Sequence, residues 1–96
     1  MKRTKDYKLS DLLAGYLRLQ GLEAPLAEHR LLRAWKEVVG EEVASRCSTL
    51  FIRHEALHVT IESSVVRHQL FMQRSELVER LNRAAGRRVI TDLFLH

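Results

Sequence analysis

The stretch Leu50-Phe51-Ile52-Arg53-His54-Glu55-Ala56-Leu57-His58-Val59-Thr60-Ile61-Glu62 decides the fold, because here the hydrophobic period falls to two. Leu50 and Ile52 alternate with Phe51 and Arg53. Leu57, Val59 and Ile61 alternate with His58, Thr60 and Glu62. Side chains of a strand point to opposite faces in turn, so this pattern predicts two strands. A short turn near His54-Glu55-Ala56 joins them. One face is apolar. The other carries Phe51, Arg53, His58, Thr60 and Glu62 and is mixed, so it is either solvated or a partner surface.

On both sides of this hairpin the period is helical. Upstream, Leu31, Leu32, Trp35, Val38 and Val39 share one face at about 100° per residue. Pro25 suits the first turn of that helix. Gly40 interrupts or ends it, and Glu41 to Arg46 can add another turn. Further upstream, Ser10 reads as an N-cap, with Leu12, Leu13, Tyr16 and Leu17 following and Gly21 as the closing glycine. This predicts a first helix over residues 10–20. Residues 1–7 read as a flexible basic arm.

Downstream, Ser63 and Ser64 are suitable caps for one long helix. Its apolar set is Val66, Leu70, Leu77, Leu81 and Ala84, with Phe71, Val78 and Ala85 adjoining, and Gly86 ends it. Val89, Ile90, Leu93 and Leu95 predict a last short strand. The order α-α-β-β-α-β implies an α+β domain, residues 8–96, with helices on one face of a small three-stranded sheet.

The totals fit one domain. The 96 residues are 46% hydrophobic and 29% charged, as in a globular chain. The single cysteine, Cys47, leaves no partner for an internal disulfide and suits a reducing, cytoplasmic setting. No apolar run predicts a signal peptide or a membrane span. Net charge is +4, with basic ends and a mildly acidic middle.

Catalytic chemistry finds little support. His54 and His58 flank the hairpin turn, but two ligands without a third make a poor metal site. Cys47 lacks an evident base. Ser63-Ser64 lacks the glycine-flanked elbow of hydrolases, and no phosphate-binding glycine loop is present. No cofactor, metal or small-molecule ligand is expected, and the chain reads as a binding module, not an enzyme.

The basic residues are the candidates for function: the N-terminal Lys2, Arg3, Lys5 and Lys8, with Arg67, Arg74, Arg87 and Arg88. Arg67 and Arg74 fall within the apolar stripe, where their stems can pack and their heads snorkel outward. Arg87 and Arg88 follow the helix end and can reach its negative pole or a phosphate. Glu76 with Arg80, and Glu79 with Arg83, stand four apart as helix ion pairs. With only Phe51 and Phe94 as strand aromatics, and Phe94 a candidate for the core, base stacking of the kind used by sheet-based single-strand binders is not expected.

The order of these motifs resembles a known family. Leu9-Ser10-Asp11-Leu12-Leu13, Leu17, Gly21-Leu22 and Leu26 lead to Trp35-Lys36-Glu37-Val38-Val39-Gly40-Glu41-Glu42-Val43-Ala44. Leu57-His58-Val59, Ser63-Ser64, Leu70, Leu81-Asn82, Gly86 and Val89-Ile90 follow. From Lys8 to Leu95 this resembles the DciA-like family of bacteria. The resemblance implies a KH-like fold, no catalysis, and a role in chromosome replication, with DNA and the replicative helicase DnaB as partners. A classical KH domain clamps nucleic acid with a G-x-x-G loop between helices, and this sequence has none. Longer relatives carry a tail that contributes to helicase contact, whereas this chain ends at His96. If loading needs that tail, the expectation is DNA binding without loading, or action with a separate partner.

DNA contact is therefore expected to be electrostatic, through phosphates and with weak sequence preference. The alternative is a protein-interaction scaffold without nucleic-acid binding, using the open sheet face around Phe51 and His58 or an unpaired strand edge.

Overall fold

A computed structural model of the protein describes residues 12, 13, 15, 21 and 23–96. Its elements run α1 (Glu23–Val39), α2 (Glu41–Ser45), β1 (Cys47–Arg53), β2 (Ala56–Ile61), α3 (Ser64–Met72), α4 (Arg74–Ala85) and β3 (Asp92–Leu95). The α+β class and the expected order of helices and strands are present. The basic arm over residues 1–7, with Lys2, Arg3 and Lys5, lies outside the described residues, as do Lys8 and most of the helix expected over residues 10–20. Leu12, Leu13 and Gly15 are helical, and Gly21 has the left-handed φ of 72° expected of a helix-closing glycine.

Strand β2 is the centre of the sheet, in the order β1-β2-β3. It runs antiparallel to β1 and parallel to β3. A parallel neighbour requires a crossover, which α3 and α4 provide. The hairpin turn is tighter than expected. Arg53 already pairs with Ala56, so only His54 and Glu55 turn, at φ 51° and 59°. Two left-handed residues match the twist of the flanking strands. At the other end of β1 the register slips between Cys47 and Thr49, an irregularity around Ser48.

Alternation along β2 fixes which face the helices cover. Leu57, Val59 and Ile61 are at most 1% exposed, and they meet Leu31, Trp35, Leu70, Leu77, Leu81, Ile90 and Leu93 in one core. Each leucine or isoleucine so buried contributes about 1.5–3 kcal/mol. Trp35 takes its expected place at the middle of the α1 stripe. The α4 row Leu77, Leu81 and Ala85 is buried while Ala84 is exposed, because an i, i+4 row inclines across the helix.

The single long helix expected after Ser63 is two helices. Ser63 does cap the first, its hydroxyl accepting from the Val66 N–H at 3.3 Å. Gln73 then leaves helical geometry, at φ −105° and ψ 13°. Its N–H closes α3 on Leu70, and its carbonyl accepts from Leu77 to start α4. The last strand also differs. Val89 and Ile90 precede β3 rather than belonging to it, because the side chain of Asn82 occupies their backbone.

Candidate nucleic-acid interface

The four basic candidates within the described residues fall in three places. Arg67 is half-buried in the first turn of α3 and donates to the carbonyl of Ile61, at the end of β2. Arg74 opens α4. Its guanidinium lies 4.8 Å from the centre of the Phe71 ring, and its Nε is 3.7 Å from Asp92 Oδ1. Both side chains therefore tie the crossover helices to the sheet. Arg87 and Arg88 are exposed in the loop after α4. Gly86, at φ 86°, turns the chain there, and its N–H closes α4 on Asn82 and Arg83.

That loop is held from within. Asn82 Oδ1 accepts from the N–H of Val89 at 2.9 Å and of Ile90 at 3.1 Å, and its Nδ2 donates to the Ile90 carbonyl at 2.8 Å. Thr91 N–H donates to the Glu55 carbonyl at 2.7 Å. The segment carrying Arg87 and Arg88 thus ends on fixed anchors. As a result Arg88 and Arg74 line one open groove of about 480 Å³ between α4 and β3, with Ser75, Glu79, Asn82, Thr91 and Asp92. Arg87 and Arg88 also line a smaller hollow beside Ala24, Ala27 and Glu28 of α1. Arg67 sits at the opposite end of the sheet and does not join this group. Of the expected helix ion pairs, Glu79 and Arg83 approach to 3.5 Å on the surface.

The outer sheet face carries a feature that the sequence reading set aside. Phe51 pairs with His58 in the β1–β2 register, and His58 with Phe94 in the β2–β3 register. Their rings follow the pairing. Phe51 and His58 lie 4.9 Å apart at 6°, and His58 and Phe94 lie 5.2 Å apart at 29°. His96 joins the row, its Nε2 3.3 Å from His58 Nδ1. Phe94 is 45% exposed, as is Phe51, so it is not core. Leu93 is buried, and alternation turns its neighbour outward. Thr49 and Thr60 complete the face with a 2.6 Å hydroxyl pair. Glu62, expected on this face, lies beyond the end of β2.

The remaining reactive side chains have structural surroundings. His58 meets Phe51 and His96, while His54 occupies the turn. Among the described residues no group of three His, Cys, Asp or Glu side chains could hold a metal. Burial pushes the Cys47 thiol above its ordinary value, partly opposed by a backbone hydrogen bond at Thr49. Among the described residues no helix is long and apolar enough to cross a membrane.

Residues 8–95 match the family model described as Dna[CI] antecedent, DciA. A UPF0232 protein of Mycolicibacterium paratuberculosis is 32% identical over 85 residues, 88% of this chain and 47% of the relative. A UPF0232 protein in the recF-gyrB intergenic region of Mycolicibacterium smegmatis is 31% identical over 74 residues, covering 77% of this chain and 38% of the relative. A UPF0232 protein of Rhodococcus jostii is 30% identical, with 77% and 39% covered. The chain spans less than half the length of these curated relatives. No solved structure matches it.

Proposed function

We propose that this chain, which belongs to the DciA family, is a non-catalytic DNA-binding and protein-interaction module of chromosome replication. Its partners in this reading are DNA and the replicative helicase DnaB, in the cytoplasm. The observation that carries the reading is the family match across residues 8–95. Two structural features support it. Arg74 and Arg88 converge on an open groove, and the loop bearing Arg87 and Arg88 is anchored by Asn82. Exposed arginines on a loop whose backbone is anchored suit phosphate contact, which positions a protein on DNA without reading its sequence. Lys2, Arg3, Lys5 and Lys8, outside the described residues, are further basic candidates for phosphate contact.

The helix break also favours the KH-like arrangement that the motif order implies. A KH domain clamps the nucleic-acid backbone at a turn between two helices. Here that turn is Met72-Gln73-Arg74, without glycines and with an arginine leading into the groove.

The test is duplex binding by fluorescence anisotropy across a salt series, comparing the parent chain with Arg87→Ala/Arg88→Ala. The slope of log affinity against log salt falls by about 2 if both side chains touch phosphate, at about 0.9 per contact. An unchanged slope removes them from the interface.

A further inference from the structure

The ring row across the outer sheet face has two ends, and only one of them adjoins the arginine groove. Phe51 and His58 are close to parallel at 4.9 Å, nearly the spacing of neighbouring strands. Rings lying flat side by side would collide at that distance, so they stand upright with their faces turned along the row. His58 covers one face of each phenylalanine. Strands β1 and β3 are the sheet edges, so among the described residues no ring covers the outward faces of Phe51 and Phe94. Each is accordingly 45% exposed.

Phe94 lies two residues beyond Asp92, on the same face of β3. Two residues of strand span about 7 Å, roughly the backbone repeat of one extended nucleotide. Asp92 lines the groove with Arg74 and Arg88, and its carboxylate faces Arg74 at 3.7 Å. That acid is thus paired, and Glu79, which also lines the groove, faces Arg83 at 3.5 Å, so both groove carboxylates have a basic partner. Across the sheet, among the described strand residues, Arg53 also lies on this face and is basic. This juxtaposition suits a ligand with a planar apolar ring and an anionic backbone.

We propose that an unpaired base of single-stranded DNA stacks on the outward face of Phe94 while its phosphate lies in the Arg74/Arg88 groove. The proposal rests on the DNA-binding reading and adds a strand preference to it. A base inside a duplex has both faces covered and cannot use the site. Stacking on an aromatic side chain is tolerant of sequence, because every base has a π face.

The experiment compares three labelled probes on the whole chain by anisotropy: oligothymidine, an abasic strand of equal length, and a duplex. Phe94→Leu keeps an apolar side chain on the strand but removes the ring, and Phe51→Leu does the same at the far end. Phe94→Leu is expected to weaken oligothymidine binding about tenfold, leaving the abasic strand and the duplex unchanged. Phe51→Leu leaves all three unchanged, and Phe94→Trp binds oligothymidine at least as tightly as the parent. Thermal melts check that each variant folds. Oligothymidine binding by Phe94→Leu equal to that of the parent overturns the proposal while leaving the DNA reading intact. So does equal weakening on all three probes. A parent chain that binds none of the probes at low salt overturns the DNA reading itself.

Discussion

Asn82 brackets Ile90 as a neighbouring strand would, accepting from its N–H at 3.1 Å and donating to its carbonyl at 2.8 Å. A side-chain amide carries the same donor and acceptor as a peptide group, so it can satisfy a backbone that has no strand partner. The bracket accounts for the Leu81-Asn82 and Gly86 pattern. Leu81 buries the helix, Asn82 holds the returning chain, and Gly86 supplies the left-handed turn between them.

Asn82→Ala should therefore destabilise the fold by about 2–4 kcal/mol, since it removes three hydrogen bonds and leaves the Ile90 backbone unsatisfied. Urea denaturation measures this. Asn82→Asp keeps the acceptor and loses the donor, so it should fall between the parent and Asn82→Ala. A melt of Asn82→Ala matching the parent would show that the bracket contributes nothing.

Arg67 is expected to behave as a structural residue. Its guanidinium is committed to the Ile61 carbonyl, and a charged hydrogen bond of this kind contributes about 1.5–3 kcal/mol. Arg67→Ala should lower the melting temperature and leave the salt slope of DNA binding unchanged. A smaller slope with normal stability would return Arg67 to the interface.

The hairpin turn holds His54 at φ 51°, where an L-residue with a bulky side chain is disfavoured. Asn adopts that region more readily. His54→Asn should stabilise the protein by about 0.5–1 kcal/mol in chemical denaturation. A loss of stability would mean that the His54 side chain makes a favourable contact larger than the strain it relieves.

Burial raises the Cys47 pKa, so at any pH below it the thiolate fraction is smaller than for a free cysteine. The thiolate is the reactive form. Iodoacetamide should alkylate the native protein at pH 8 more slowly than it alkylates a cysteine peptide, and denaturant should remove the difference. Equal rates in the native state would contradict a protected thiol.

What was legible in the sequence was local. The change of period at the hairpin, the Ser63 cap and the turns at Gly40 and Gly86 depend on residues close along the chain, and each appears where expected. The break at Gln73 carries no glycine or proline, so the apolar spacing of Val66, Leu70, Leu77 and Leu81 read as one helix. The exposure of Phe94 and its stacking on His58 depend on the parallel β2–β3 register, which only the folded crossover sets. The same holds for the site. Arg74 and Arg88 stand at opposite ends of α4, and only the fold brings them to one groove.

In the proposed function this domain holds DNA through phosphate contacts. The most direct test is the salt dependence of the parent chain's affinity for labelled duplex DNA, from low to physiological ionic strength. Contacts from Arg88 and at least one further cation give a slope of about −2 or steeper. A flat slope, or no binding at the lowest salt, would contradict the account and make the basic residues determinants of solubility alone.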